Sequence, residues 1–175
     1  MLNHNSKILI SILSFICNLY IYANAFDGYT LFTPLAVNQE FQTTFLINND
    51  YEILNKWEHN RGPASMPYLL HDGSIIYPFR VEAPTMEAGG VGGGIQKQSW
   101  DGEILWEYTF ANEQYQHHHD IEPLPSGNIL IIVWENKTAE QAYASGRELI
   151  NNPLNQMWST AILELNPETG LIVWE

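Results

Sequence analysis

WDGEILWE, the sequence of residues 100–107, is one of three similar phrases in this chain. The others are NDYEILNKWE at residues 49–58 and ETGLIVWE at residues 168–175. Each contains a turn, a short apolar run and a Trp-Glu pair, and the tryptophans are 49 and 68 residues apart. A period of roughly 40–50 residues is typical of β-propeller blades. The repeat therefore predicts an architecture built from copies of one β-rich unit.

Short apolar runs separated by turn residues occur throughout the remainder of the sequence. Asp-Gly and related turns between such runs favour β-hairpins. The predicted strand pairs are 66–70 with 74–79, 94–100 with 103–108, 120–124 with 129–134, and 160–165 with 171–174; single strands are predicted at 29–32, 41–47 and 52–57. This pattern indicates an all-β sandwich, barrel or propeller. A sandwich does not require the same phrase three times, so the repeat favours the propeller.

The length bears on how much of a propeller is present. At about 50 residues per blade, residues 26–175 would form about three blades, whereas closure of a ring usually requires at least about four. We therefore expect an N-terminal part of a longer propeller, truncated at Glu175. One short helix is predicted inside an insertion at residues 136–159. Thr138 and Gln141 form a capping box at its start, and Gly146 is placed to end it.

The first 25 residues have the pattern of a secretory signal. Lys7 supplies a positive charge, residues 8–22 are mostly apolar, and Ala23-Asn24-Ala25 fits a cleavage site. The alternative is a membrane anchor, but the apolar run is shorter than the roughly 20 residues that span a bilayer. A lipoprotein anchor at Cys17 is disfavoured because Ile16, not a small residue, precedes it. We expect a periplasmic or secreted domain at residues 26–175 without a stable membrane anchor.

Composition restricts the function further. The only cysteine lies within the signal, so the exported domain must depend on a hydrophobic core instead of disulfides. The formal net charge of −13 disfavours nucleic acid and anionic lipid as partners. A few local cations could still select a small anion. No cofactor motif is evident.

The densest polar cluster is QHHHD at residues 116–120. In an extended segment His117 and His119 would share one face, and His118 and Asp120 the other. Histidine can bind metal, transfer a proton, act as a nucleophile or, when protonated, hold an anion. A metal site is disfavoured because no second ligand cluster is visible. Two interpretations stay open: a binding or catalytic role, and a turn hydrogen bond between Asp120 and one histidine.

A glycine-rich run, GGVGGG at residues 89–94, follows Arg80. It lacks the lysine and hydroxyl of a Walker loop, and Ile95 stands where a dinucleotide-binding motif needs glycine. The run therefore indicates either close backbone approach to another group or a flexible loop between blades. Arg80 ends a predicted strand and is a candidate anion ligand, with a solvated surface arginine as the alternative.

Several segments resemble the bacterial arylsulfotransferase (aryl-sulfate sulfotransferase) family. They are HHDIEPLPSGNIL at residues 118–130, the glycine run through Gln96 followed by WDGEILWEY at 100–108, KTAE at 137–140, and GYTLF at 28–32. The resemblance extends over nearly all of residues 26–175. It implies a six-bladed, periplasmic propeller that moves a sulfuryl group from a phenolic sulfate ester to a phenol through a sulfohistidine, without a cofactor.

The resemblance implies a sulfate- or phenol-binding role for His118 or His119, with Asp120 orienting the histidine. Arg80, chosen for its position before the glycine run, is the third candidate substrate-binding residue. The nucleophilic histidine of the family matches no position here, so we expect this chain alone to be inactive. The expected partners are a phenolic sulfate donor and a phenol acceptor, and a homodimer is left open. The alternative is a secreted, non-catalytic propeller that binds a ligand or a protein.

Overall fold

The computed structural model describes residues 26–35 and 41–175, and the predicted export signal at residues 1–25 lies outside them. The described chain is nearly all β, with a single short helix, α1 (Ala139–Ala144). The strands are β1 (Tyr29–Phe32), β2 (Gln42–Asn48), β3 (Ile53–His59), β4 (Tyr68–Leu69), β5 (Ile75–Arg80), β6 (Gly93–Gln98), β7 (Ile104–Thr109), β8 (Tyr115–Pro123), β9 (Ile129–Thr138), β10 (Gln156–Asn166) and β11 (Leu171–Trp174). Within these ranges no helix has the length and apolar character needed to cross a bilayer.

The strands form three antiparallel sheets. The first sheet contains β1, β2 and β3, the second β4 to β7, and the third β8 to β11. In each sheet every strand pairs with its neighbour in sequence, so the predicted hairpins are all confirmed. The all-β prediction is therefore confirmed, as three consecutive antiparallel meanders.

The repeated phrase forms the last strand of each sheet, and each copy contains a β-bulge at the same place. In the first sheet Leu46 is opposite Asn55 and Ile47 is opposite Ile53, which leaves Leu54 without a partner. The corresponding register shifts in the other two sheets leave one residue of β7 and one of β11 unpaired, namely Leu105 and Val173. A bulge bends and twists a strand, so the repeated sequence encodes a repeated distortion as well as a strand.

The bulges also correct the alignment of the repeat. Counted from the bulge, Asn55 of β3 corresponds to Trp106 of β7 and Trp174 of β11. Trp57 therefore corresponds to Tyr108, two residues after Trp106. Because side chains alternate along a strand, a shift of two residues keeps the aromatic ring on the same face. The first Trp-Glu pair is displaced along its strand without changing sides.

Contacts between successive sheets repeat as well. Trp57 is 1% exposed, and its indole Nε1 donates to the Ser99 carbonyl oxygen at 2.8 Å. In the next interface the Tyr108 hydroxyl donates to the Pro167 carbonyl oxygen at 2.6 Å. Ser99 and Pro167 both belong to the turn that precedes the last strand of the following sheet. Equivalent aromatic residues thus bind equivalent turns, which places the three sheets in one repeating series.

The second sheet lies between the other two, with a core on each of its faces. The smaller core, shared with the first sheet, contains Leu46, Trp57 and Ile75. The larger core combines Ile76 and Ile95 of the second sheet with branched side chains of the third, including Ile121, Ile129, Ile131, Val133, Leu163 and Leu165. β5 and β6 are buried almost continuously because both faces of the second sheet are covered, whereas burial alternates along β9 and at the end of β10.

Three strand boundaries lie four or five residues from their predicted positions. β8 begins at Tyr115, so the histidine cluster lies within a strand instead of preceding one. β9 and β10 stay paired out to Thr138 and Gln156, which shortens the excursion from residues 136–159 to 139–155. Helix α1 is confirmed with both hydrogen bonds of its capping box: the Gln141 N–H donates to the Thr138 hydroxyl, and the Thr138 N–H donates to the Gln141 side chain.

Candidate functional site

The histidine cluster occupies an irregular part of β8, the edge strand of the third sheet. Pairing with β9 is regular at His117 and again at Ile121, but it is interrupted between them. His119 has a φ of 58°, in the left-handed region, where histidine is one of the more frequent non-glycine residues. The interruption breaks the alternation of side chains. The prediction that His118 and His119 point to opposite faces is therefore wrong: their Nδ1 atoms lie 2.8 Å apart.

The glycine run covers this part of β8 with its backbone. The Gly92 N–H donates to the His117 carbonyl oxygen at 3.0 Å, and the His119 N–H donates to the Gly90 carbonyl oxygen at 2.7 Å. A Cβ at Gly92 would lie 2.5 Å from His117 Nδ1, and one at Gly90 would overlap the His119 ring. Close backbone approach is thus the correct interpretation of the glycine run, and the group it approaches is the histidine cluster.

His117 is fully buried beneath that backbone. Its Nδ1 accepts a hydrogen bond from the Gly93 N–H at 3.1 Å, which assigns the ring proton of the neutral form to Nε2. Burial, followed by the neighbouring His118, lowers the pKa of His117 to about 4. Within residues 26–35 and 41–175 its Nε2 has no hydrogen-bond partner. The ring is therefore a neutral donor held in a fixed orientation.

His118 is 6% exposed. Its ring stacks on Trp134 with a centroid separation of 4.5 Å, and Trp134 in turn stacks on Trp158 at 5.8 Å. Burial, followed by the adjacent His119, lowers the pKa of His118. One ring nitrogen contacts His119 and the other, Nε2, is unpaired among the described residues. A neutral imidazole with one nitrogen oriented and the other free can donate to an anion or attack an electrophile.

The Asp120 side chain binds two residues at the start of the second sheet, one just before β4 and one within it. Its Oδ1 accepts from the Ser65 hydroxyl at 2.7 Å and from the Tyr68 hydroxyl at 3.3 Å. Burial, followed by the charge of Asp120, raises the pKa of Tyr68 to about 12. In the described part of the chain no hydrogen bond joins the Asp120 carboxylate to a histidine ring. Asp120 therefore connects β8 to the second sheet.

Arg80 ends β5 directly opposite Gly93, so its backbone adjoins the glycine run. Its side chain is exposed. Across the described ranges no hydrogen bond or ion pair connects its guanidinium to His118 or His119. The structure thus brings the two histidines together, and it places Arg80 next to their glycine cover without direct contact.

A second buried polar cluster, between the first and second sheets, was not predicted. His59 stacks on Tyr77 at 3.5 Å and its Nε2 lies 2.8 Å from the Thr44 hydroxyl. Arg61 forms an ion pair with Glu107, and its guanidinium lies 3.4 Å from the centre of the Phe79 ring. Alternation along β3 could have placed His59 on the buried face with Trp57. No local signal in the sequence distinguished Arg61.

Residues 26–35 and 41–175 contain no group of three or more His, Cys, Asp or Glu side chains arranged to hold a metal ion. Comparison with models of protein families, with curated proteins and with solved structures finds no match to this chain. The site is therefore defined by its own geometry, a pair of contacting histidines on a bulged edge strand covered by glycine backbone.

The buried histidines predict a loss of stability in mild acid. Burial lowers the pKa values of His59 and His117 from 6.5 to about 4. The unfolded chain therefore binds more protons than the folded chain between these pH values, and stability falls as the pH decreases from 6.5 to 4. The expected loss is on the order of 3 kcal/mol per histidine. Urea unfolding at pH 7 and pH 4.5 measures it.

His117→Gln should remove about half of this pH dependence and leave the contribution of His59, because glutamine can accept from the Gly93 N–H without binding a proton. His71→Gln, at an exposed position, is the matched control. A pH dependence that is equally steep in His117→Gln and in the unmodified protein would contradict the prediction.

Proposed function

We propose that this chain is part of an exported arylsulfotransferase-type protein, in which His118 and His119 bind the sulfate group of a phenolic ester. The observation that carries the proposal is the contact between the two Nδ1 atoms, which orients His118, while its buried Nε2 has no hydrogen-bond partner among residues 26–35 and 41–175. The buried imidazole of His118, whose pKa is lowered by burial, is a suitable neutral donor for a sulfate oxygen, and the exposed ring of His119 lies beside it. The proposal also rests on the resemblance of residues 118–130 and 89–108 to that family.

We propose a six-bladed propeller as the architecture of the complete protein. Its support is the repeating relation between sheets, in which Trp57 binds the turn at Ser99 and Tyr108 binds the turn at Pro167. Each full sheet is a four-stranded antiparallel meander, as a propeller blade is. The outer face of the third sheet carries exposed apolar side chains such as Ile162. A further sheet of the same kind would cover that face.

The proposed reaction exchanges one sulfate ester for another. A histidine nitrogen attacks sulfur, the bond from sulfur to the donor oxygen breaks, and the donor leaves as a phenol once protonated. The acceptor phenol then loses its proton and attacks the same sulfur, which breaks the N–S bond and regenerates the histidine. In this proposal His118 and His119 hold the sulfate group. The attacking histidine is a different residue, which corresponds to no position in this sequence.

The test measures binding and turnover separately. Isothermal titration of this chain with 4-nitrophenyl sulfate should show saturable binding, and His118→Ala or His119→Ala should weaken one component of it about tenfold or more, as expected for loss of a hydrogen bond to a charged group. The matched control, His71→Ala, removes an exposed histidine. Turnover is followed as 4-nitrophenol release with phenol as acceptor, using the longest natural form that contains this sequence.

Each outcome has a distinct meaning. Binding without turnover by the folded, longer form would support the alternative of a non-catalytic binding protein. Failure of the chain to bind 4-nitrophenyl sulfate would reject the assignment of His118 and His119. Circular dichroism of each variant shows whether a loss of binding accompanies a loss of fold.

A further inference from the structure

The segment between α1 and β10 curves around a cavity of about 930 Å³ that is open to solvent, and most of the residues that line it are exposed. This volume lies in the range of small-molecule sites, roughly 300–1,000 Å³. Its wall is formed by residues 146–154 and 156–158. The larger apolar side chains among them are Leu149, Ile150, Leu154, Met157 and Trp158. Predominantly apolar lining with a few polar groups is typical of such sites.

The segment has a defined conformation maintained by its own hydrogen bonds. At its start the Arg147 N–H donates to the Ala142 carbonyl oxygen at 3.0 Å, and Gly146 has a φ of 93°, which ends the helix. Near its end the Asn152 side-chain amide donates to the Gln156 carbonyl oxygen at 2.7 Å. The cavity is thus built by a capped helix end and a closed turn.

One wall of the cavity is an aromatic ring that stacks on a second aromatic ring. Trp158 lines the cavity, and its ring stacks on Trp134 with an interplanar angle of 27°. A ring fixed in this way offers a flat surface at little cost in conformational entropy, and aromatic ligands gain from offset stacking on it. This wall favours a planar ligand over a flexible aliphatic one.

Two exposed charged residues, Arg147 and Glu148, line the cavity, and the guanidinium of Arg147 is oriented. The Arg147 Nε donates to the Leu149 carbonyl oxygen at 3.0 Å, which directs the guanidinium. Among the described residues no ion pair engages its remaining nitrogens, which leaves donors for an anionic group. We propose that this cavity binds a planar aromatic molecule bearing one anionic substituent, with the ring against Trp158 and the anion on Arg147. The inference does not depend on sulfuryl transfer at the histidine pair.

Titration of the full chain with 2-naphthoate, followed by tryptophan fluorescence and calorimetry, tests the proposal. Saturable binding at one site is expected, and cyclohexanecarboxylate should bind much more weakly. Trp158→Leu should weaken 2-naphthoate binding about tenfold, while Trp158→Phe, which retains a ring, should weaken it less. Trp174→Leu, at an exposed tryptophan that does not line the cavity, is the matched control and should bind as the unmodified chain does.

The anion contact is tested with a neutral probe. Arg147→Gln should lower the affinity for 2-naphthoate about tenfold or more and leave the affinity for 2-naphthalenemethanol unchanged. The proposal is overturned if 2-naphthoate shows no saturable binding, if cyclohexanecarboxylate binds equally well, or if Trp158→Leu and Trp174→Leu behave alike. It is also overturned if sedimentation shows a dimer that Trp158→Leu dissociates, because a second copy of the chain would then occupy the cavity.

Discussion

Replacing Trp57 by alanine is expected to lower the free energy of unfolding by about 3–5 kcal/mol. The side chain is 1% exposed, packs edge-on against Trp100 at 5.6 Å and donates to the Ser99 carbonyl oxygen. Truncation would leave a cavity at the junction of the first and second sheets and would leave that carbonyl without its donor. Urea unfolding at pH 7, monitored by circular dichroism, measures the difference.

Two matched variants separate the contributions to this effect. Trp57→Phe keeps most of the packing and removes the indole N–H, so its cost should be smaller than that of Trp57→Ala. Trp174→Ala removes the tryptophan of the third copy of the repeat, which is 56% exposed, and should cost less than about 1 kcal/mol in this chain. Equal losses in Trp57→Ala and Trp174→Ala would show that the interface between the sheets is not formed as described.

Gly94→Ala is expected to destabilise the protein by about 3 kcal/mol, at the upper end of the usual cost of overpacking. A Cβ at this position would overlap the end of the Phe79 ring and would lie 2.9 Å from the Tyr108 carbonyl oxygen. Phe79 cannot move aside easily, because it is fully buried and the Arg61 guanidinium covers its face. The readout is again the midpoint of urea unfolding, with the slope of the transition as a check on two-state behaviour.

Gly89→Ala is the matched control for Gly94→Ala. It lies in the same glycine run, yet a Cβ there would meet no atom within 4 Å. A small change is therefore expected. A large loss of stability in Gly89→Ala, or none in Gly94→Ala, would contradict the close packing of β6 on β5.

Much of the fold could be predicted because its signals are local. Alternating apolar residues and Asp-Gly turns locate the hairpins, and the capping box locates α1. The position of Trp57 within the repeat was harder to predict. Its ring is displaced by two residues along the strand, and such a shift keeps the ring on the same face, so the packing is preserved while the sequence alignment is not. Only the strand register reveals that Trp57 occupies the place of Tyr108.

The site was less predictable because it depends on a departure from regular structure. His118 and His119 were selected for their chemistry, but alternation placed them on opposite faces. The positive φ of His119 and the missing pairs with β9 bring them together. Neither feature has a reliable sequence signal. Likewise, the partners of Asp120 are Ser65 and Tyr68, more than fifty residues earlier in the chain.

The junctions between sheets have a consequence for how such a chain could diversify. Both Trp57 and Tyr108 donate to a main-chain carbonyl oxygen, and the residues that supply it, Ser99 and Pro167, have nothing in common as side chains. Because every amino acid has a main-chain carbonyl oxygen, this hydrogen bond can form whatever the sequence of the turn. Duplicated units could therefore drift in their turns, acquire long insertions beside them and still assemble, so long as each last strand kept its bulge and one aromatic donor.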